Sequence, residues 1–68
     1  MKHSPESLPF RVEVWSRDGM HREELLATAA NVQIAKLMFS AIALRQPGAR
    51  LMLHDRARVI EEHLPRDS

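Results

Sequence analysis

The chain has no cysteine, no tyrosine, only two glycines and only one tryptophan, and it has no long uninterrupted apolar run. Each shortage narrows the chemistry. Without cysteine there can be no disulfide framework, no thiolate metal site and no cysteine nucleophile, and nothing calls for an oxidising compartment. Gly19 and Gly48 stand far apart, so a glycine-rich phosphate loop cannot be built. Ser16 and Ser40 lack the flanking glycines of a nucleophile elbow. The most apolar segment is broken by Gln33, Lys36 and Ser40, and the opening "MKHSPESLPF" has no apolar signal core. These features lead to the expectation of a soluble cytoplasmic protein without a membrane span. Ten basic residues face nine acidic ones, a net charge of +1, which is too even to announce a nucleic-acid partner by charge alone.

The 68 residues that are present suffice for a single small domain, 1–68. Such a domain has a net stability of roughly 3 to 10 kcal/mol. Ser4-Pro5 and Leu8-Pro9 push the residues before each proline toward extended backbone. Residues 1–8 and 64–68 are therefore expected to be flexible ends. "FRVEVW" alternates Phe10, Val12 and Val14 with Arg11, Glu13 and Trp15, the period of a strand with one buried face.

Asp18-Gly19 then signals a hairpin, because a tight two-residue turn wants positive φ at both positions. The segment "MHREELLATAA" favours helix by propensity, and only Thr28 speaks for strand. Asn31 points the other way, being a preferred N-cap placed directly before the apolar run. A helix starting at Val32 would run to about Arg45 and stop at Pro47-Gly48. Beyond it, Arg50 to His54 and Ala57 to Glu62 read as two strands around Asp55-Arg56, where glycine or asparagine would sit more comfortably than arginine.

The expected fold is therefore α+β, ββαββ: an antiparallel sheet with one helix on one face. The alternative is βαββ, with one long helix from about residue 20 to 45. In its order of "VEVW", Asp-Gly turn, Asn31 before an alanine-rich helix with Phe39, Pro47-Gly48 and closing "RARVIEE", the chain resembles a group of short bacterial proteins of unknown function. These shared features are structural punctuation, so the resemblance implies the fold and assigns no functional residue.

On a helical wheel the apolar residues of 32–45 cover roughly 240°, whereas a helix lying on one sheet usually buries a stripe somewhat over 100° wide. The excess points to a homodimer, with Ile34, Leu37, Met38 and Ala41 as the candidate dimer helix. If Phe10, Val12, Val14, Leu51 and Leu53 face the helix, the opposite sheet face collects Trp15, Arg11, Arg50, Met52 and Arg58 as a candidate interaction surface, joined by Glu13, His54 and Ile60. Tryptophan and arginine are enriched at protein interfaces, and they could equally stack on bases and hold phosphate.

His3, His21, His54 and His63 show no helical or strand spacing that would converge on a metal. The neighbours Glu23-Glu24 and Glu61-Glu62 do not point at a common atom. A chain this small also has difficulty enclosing the ~300 Å³ or more of a usual ligand pocket. The expectation is a small non-enzymatic interaction module, homodimeric, without cofactor or metal, docking a protein partner through the helix or the open sheet face. A nucleic-acid-binding module using Trp15, Arg11, Arg50 and Arg58 is the second reading.

Overall fold

The computed structural model describes residues 8–66. Its elements are β1 (Phe10–Trp15), β2 (Arg22–Ala29), α1 (Val32–Arg45), β3 (Arg50–Asp55) and β4 (Arg58–His63). The four strands form one sheet in the order β2-β1-β3-β4, with antiparallel neighbours throughout. This is an α+β fold with one helix against a four-stranded antiparallel sheet, and the segment 22–29 is strand rather than helix. The expected loose ends fall, for residues 1–7, 67 and 68, outside the described residues. At the described C-terminal end the chain is tied back, since Arg66 N donates to Pro47 O at 2.8 Å.

Asn31 decides where the helix starts. Its backbone is extended (φ −133°, ψ 155°) and its side-chain oxygen accepts from Ile34 N at 2.9 Å, which satisfies one orphan amide of the first turn. At the other end Gln46 N donates to Ile42 O, and Pro47 and Gly48 lead the chain out of the helix.

Residues 22–29 become strand through pairing rather than propensity. The register with β1 slips twice, once between Val12 and Glu13 and once between Val14 and Trp15, leaving Leu26 and Glu23 as the extra residues of two bulges. The first bulge lets both Leu26 and Ala27 pack against the core. The bulges and the exposed Arg22-Glu23-Glu24 also blunt an edge strand that could otherwise pair with another chain.

The two turns differ from the expected form. Between Trp15 and Arg22 the connection is wider than a two-residue hairpin turn, and of Asp18 and Gly19 only the glycine has positive φ, 76°. Asp18 acts through its carboxylate, which accepts from Met20 N at 2.9 Å and from Ser16 Oγ, so a side chain does the work that a mirror-image backbone turn would have done. The positive φ favours glycine at this position, and a Cβ there would stand 2.9 Å from the Arg50 guanidinium, which would have to shift. In the β3–β4 turn Arg56 adopts φ 57°, a left-handed conformation unusual for a side chain with a Cβ. It is held there from both sides: Arg56 N donates to Pro9 O at 2.8 Å, and Arg11 Nη2 donates to Arg56 O at 2.8 Å.

The core lies between α1 and the sheet. Val12, Leu51 and Leu53 from the central strands meet Ala29, Ala35 and Phe39, with Phe10, Val14, Met38, Ile42 and Ile60 packed around them. The helix packs on β1, β2 and β3.

Candidate interaction surfaces

Directly paired residues of neighbouring strands share a face, so the register defines the sheet surface that α1 does not cover. Three rows cross it: Arg22, Trp15 and Arg50; then Leu25, Glu13, Met52 and Glu62; then Thr28, Arg11, His54 and Val59. Trp15, Arg11, Arg50 and Met52 thus lie together, as their alternation in the sequence implies. Arg58 and Ile60 do not join them. The β3–β4 register slips between Leu53 and His54, and this bulge reverses the parity of the last strand. Arg58 is paired with Asp55, which is itself paired with Phe10 on the helix side, and Ile60 packs into the core.

The middle of the open face is filled by a carboxylate. Glu13 is only 1 % exposed, although it sits on the side of the sheet away from the helix. Its Oε1 accepts from Trp15 Nε1 at 3.0 Å, and its Oε2 accepts from Arg22 Nη1 at 3.1 Å. Arg11 Nε lies 3.5 Å from Oε2 and His54 Nδ1 lies 3.1 Å from Oε1. Both are within ion-pair range, but neither is aimed along a hydrogen bond. The Trp15 and His54 rings stack at 6.0 Å between centroids, 28° from parallel.

Three strands therefore contribute to one compact polar plug, which holds a charge that would be costly to bury alone. The sequence carries the cue in the period-two run Arg11, Glu13, Trp15. The cross-strand partners Arg22 and His54 are what turn that run into a buried cluster.

This geometry leaves little of an open platform. Arg11 is spent on Glu13 and on the Arg56 carbonyl, while Arg50 donates to Glu62 Oε2 at 2.9 Å and to Arg17 O at 3.0 Å. Met52 is buried, and the Trp15 ring lies against His54. Glu13 and His54, at 1 % and 7 % exposure, are reachable only if the covering side chains move.

Two grooves flank α1 on the side of β4. One of about 520 Å³ is lined by Phe10, Val32, Asp55, Arg58, Val59 and Ile60. The other, of about 400 Å³, runs between Phe39, Ser40 and Leu44 of the helix and Glu61, His63 and Arg66. Both exceed the volume that so small a chain was expected to provide. They arise because the helix lies over β1, β2 and β3, and they are shallow troughs rather than enclosed cavities. Among the described residues no three metal-ligating side chains converge, and no helix is long and apolar enough to cross a membrane.

The outer side of α1 gathers three of the large hydrophobic residues left exposed, while Met20, Val59 and Leu64 are exposed singly elsewhere. Ala35 and Phe39 face the sheet and are buried, and Met38, expected at a dimer contact, is half-buried against the core. Leu37 is 71 % exposed, Leu44 83 % and Ile34 51 %, and Ala41 is exposed beside them. Residues 34, 37, 41 and 44 step by three, four and three, which is the a/d spacing of a coiled-coil seam. The flanking Gln33 and Ser40 are uncharged, and Arg45 is the one charged residue bordering the seam. Comparison of the chain with protein-family models, with curated proteins and with solved structures finds no match.

Proposed function

We propose that the protein is a small, non-enzymatic, cytoplasmic interaction module that docks protein through the outer face of α1. The observation that carries this reading is the seam of Ile34, Leu37, Ala41 and Leu44, held away from the core on a rigid, capped helix. Burying a Leu or Ile side chain fully is worth about 1.5–3 kcal/mol, so the exposed fractions of Leu37, Leu44 and Ile34 amount to roughly 3–6 kcal/mol of unused burial on each chain. That is a large reserve beside the net stability of roughly 3–10 kcal/mol of a domain this size.

The sheet face supports the same choice of surface from the opposite direction. Its arginines and its tryptophan are engaged within the chain, so the helix is the face with free recognition capacity. For the nucleic-acid reading, the same internal pairing counts against phosphate contacts by Arg11 and Arg50.

The test is the double variant Leu37→Glu, Leu44→Glu. It keeps the wild-type circular dichroism, because neither side chain belongs to the core cluster. It loses the associations that the wild-type chain forms with itself or with captured proteins, together with any concentration dependence of the melting temperature that self-association brings. A wild-type chain that associates with nothing, or a double variant that associates as the wild type does, contradicts the proposal.

A further inference from the structure

We infer that the occupant of the α1 seam is a second copy of this chain, packed antiparallel about a two-fold axis that crosses the seam midway between Leu37 and Ala41. The inference rests on the docking role of α1 and specifies its partner.

The argument is self-complementarity. Reversing the seam about its midpoint places Ile34 opposite Leu44 of the partner copy and Leu37 opposite the partner's Ala41. Each layer then joins residues that fill space together, and the projecting Leu37, 71 % exposed, meets the one small position on the seam. In a parallel arrangement Ala41 would meet its own copy and leave a void, while Leu37 would abut its own copy. Helix surfaces pack by fitting projections into holes, so the antiparallel register is favoured.

Charge points the same way. A partner selected by ion pairs would need charged residues bordering the seam, and the bordering residues are Gln33, Ser40, Met38 and Arg45, of which only Arg45 is charged. Flanks with a single charge and no acidic residue suit a second copy that keeps the two arginines apart. Antiparallel packing also places the two Arg45 side chains at opposite ends of the interface, about 18 Å apart along the axis.

The resulting assembly stacks sheet, helix, helix and sheet, with both open sheet faces outside the contact and Leu44 shared between the seam and the groove that it lines with Ser40 and Glu61. A seam about 16 Å long is small beside the roughly 800 Å² per partner of a standard interface. The dimer is therefore a reversible one, dissociating in the micromolar range.

The absence of cysteine makes a clean test available. Ile34→Cys and Leu44→Cys chains are prepared separately, checked for native circular dichroism, and oxidised alone and mixed. Disulfides need Cα atoms within about 4.4–6.8 Å. The mixture is expected to cross-link, and the Ile34→Cys chain alone is not, because its two copies lie about 15 Å apart in the antiparallel register. Self-linking of Ile34→Cys overturns the register.

Ala41→Leu gives a second readout that needs no oxidation. It overfills the hole that receives Leu37 and weakens self-association at least tenfold; strengthening would indicate parallel packing and overturn the inference. Sedimentation of the wild-type chain gives a third. A single-chain mass across the micromolar range removes the second copy as the occupant. The docking role itself fails if the wild-type chain associates with nothing at all, or if Leu37→Glu, Leu44→Glu leaves its capture of other proteins unchanged. A single-chain mass beside capture that the double variant loses removes the second copy alone, so the two failures are separately visible.

Discussion

Replacing Glu13 by glutamine is expected to be among the most damaging conservative changes in the chain. Glutamine preserves the volume of the side chain and an acceptor for Trp15 Nε1, but it removes the negative charge on which Arg22, Arg11 and His54 converge. Breaking a buried ion pair by removing one partner generally costs about 3–5 kcal/mol. Here the side chains of Arg22 and Arg11 keep 39 % and 22 % of their surface exposed and can turn toward water, which places the loss at about 2–3 kcal/mol.

Each kcal/mol moves the melting temperature of a domain this size by about 4–8 °C, so a fall on the order of 8–24 °C is expected. Urea and thermal unfolding followed by circular dichroism at fixed protein concentration measure it. Trp15 fluorescence is unsuited as the sole probe, because the substitution acts on the indole directly. Glu62→Gln is the control: Glu62 pairs with Arg50 near the surface, where such pairs contribute about 0–1 kcal/mol. If Glu13→Gln destabilises no more than Glu62→Gln, the reasoning about a buried plug is wrong.

Other substitutions test individual elements. Asn31→Ala removes the acceptor that caps Ile34 N and is expected to cost about 1 kcal/mol of unfolding free energy in urea; no change would mean that the helix start is set elsewhere. Arg56→Gly relieves the left-handed backbone at φ 57° while keeping both backbone hydrogen bonds, and should raise stability by about 1 kcal/mol, measured as a shift in the urea midpoint. Asp18 is held below its ordinary 3.8 first by the Ser16 hydroxyl and next by the Met20 amide. A carboxylate with a lowered folded value stabilises above its unfolded value, and that contribution is lost as pH falls through the folded value. The stability advantage of the wild type over Asp18→Asn should therefore shrink on acidification below about 3.8; an advantage that persists there contradicts the turn geometry.

How far the sequence disclosed this fold varies by element, for physical reasons. Asn31 and Pro47-Gly48 mark the helix because caps and breakers act within a few residues of themselves. Strand β1 is legible because alternation is local as well. The segment 22–29 has helix-forming residues, yet its cap lies downstream of it and its strand conformation depends on β1.

Bulges are where the reading fails. An alternating pattern assigns Arg58 and Ile60 to the open face, and one extra residue in β4 carries them to the other side. No local feature of "RARVIEE" announces that slip, since it depends on the pairing with β3. Glu13 shows the same limit: its burial depends on Arg22 and His54 as well as on its neighbours Arg11 and Trp15, and strand pairing rather than local pattern brings the first two to it. Exposure along the helix is more legible than sheet facing, because it follows from helix geometry once one face is fixed. Ile34, Leu37 and Ala41 are exposed, and Met38 turned inward because it lies nearer the sheet side of the wheel.

The most direct test of the central claim is sedimentation equilibrium of the wild-type chain beside Leu37→Glu, Leu44→Glu across the micromolar range. The account predicts a reversible rise toward twice the single-chain mass of 7.8 kDa for the wild type and a single-chain mass for the variant at every concentration. A variant that self-associates like the wild type would show that the outer face of α1 is not the docking surface.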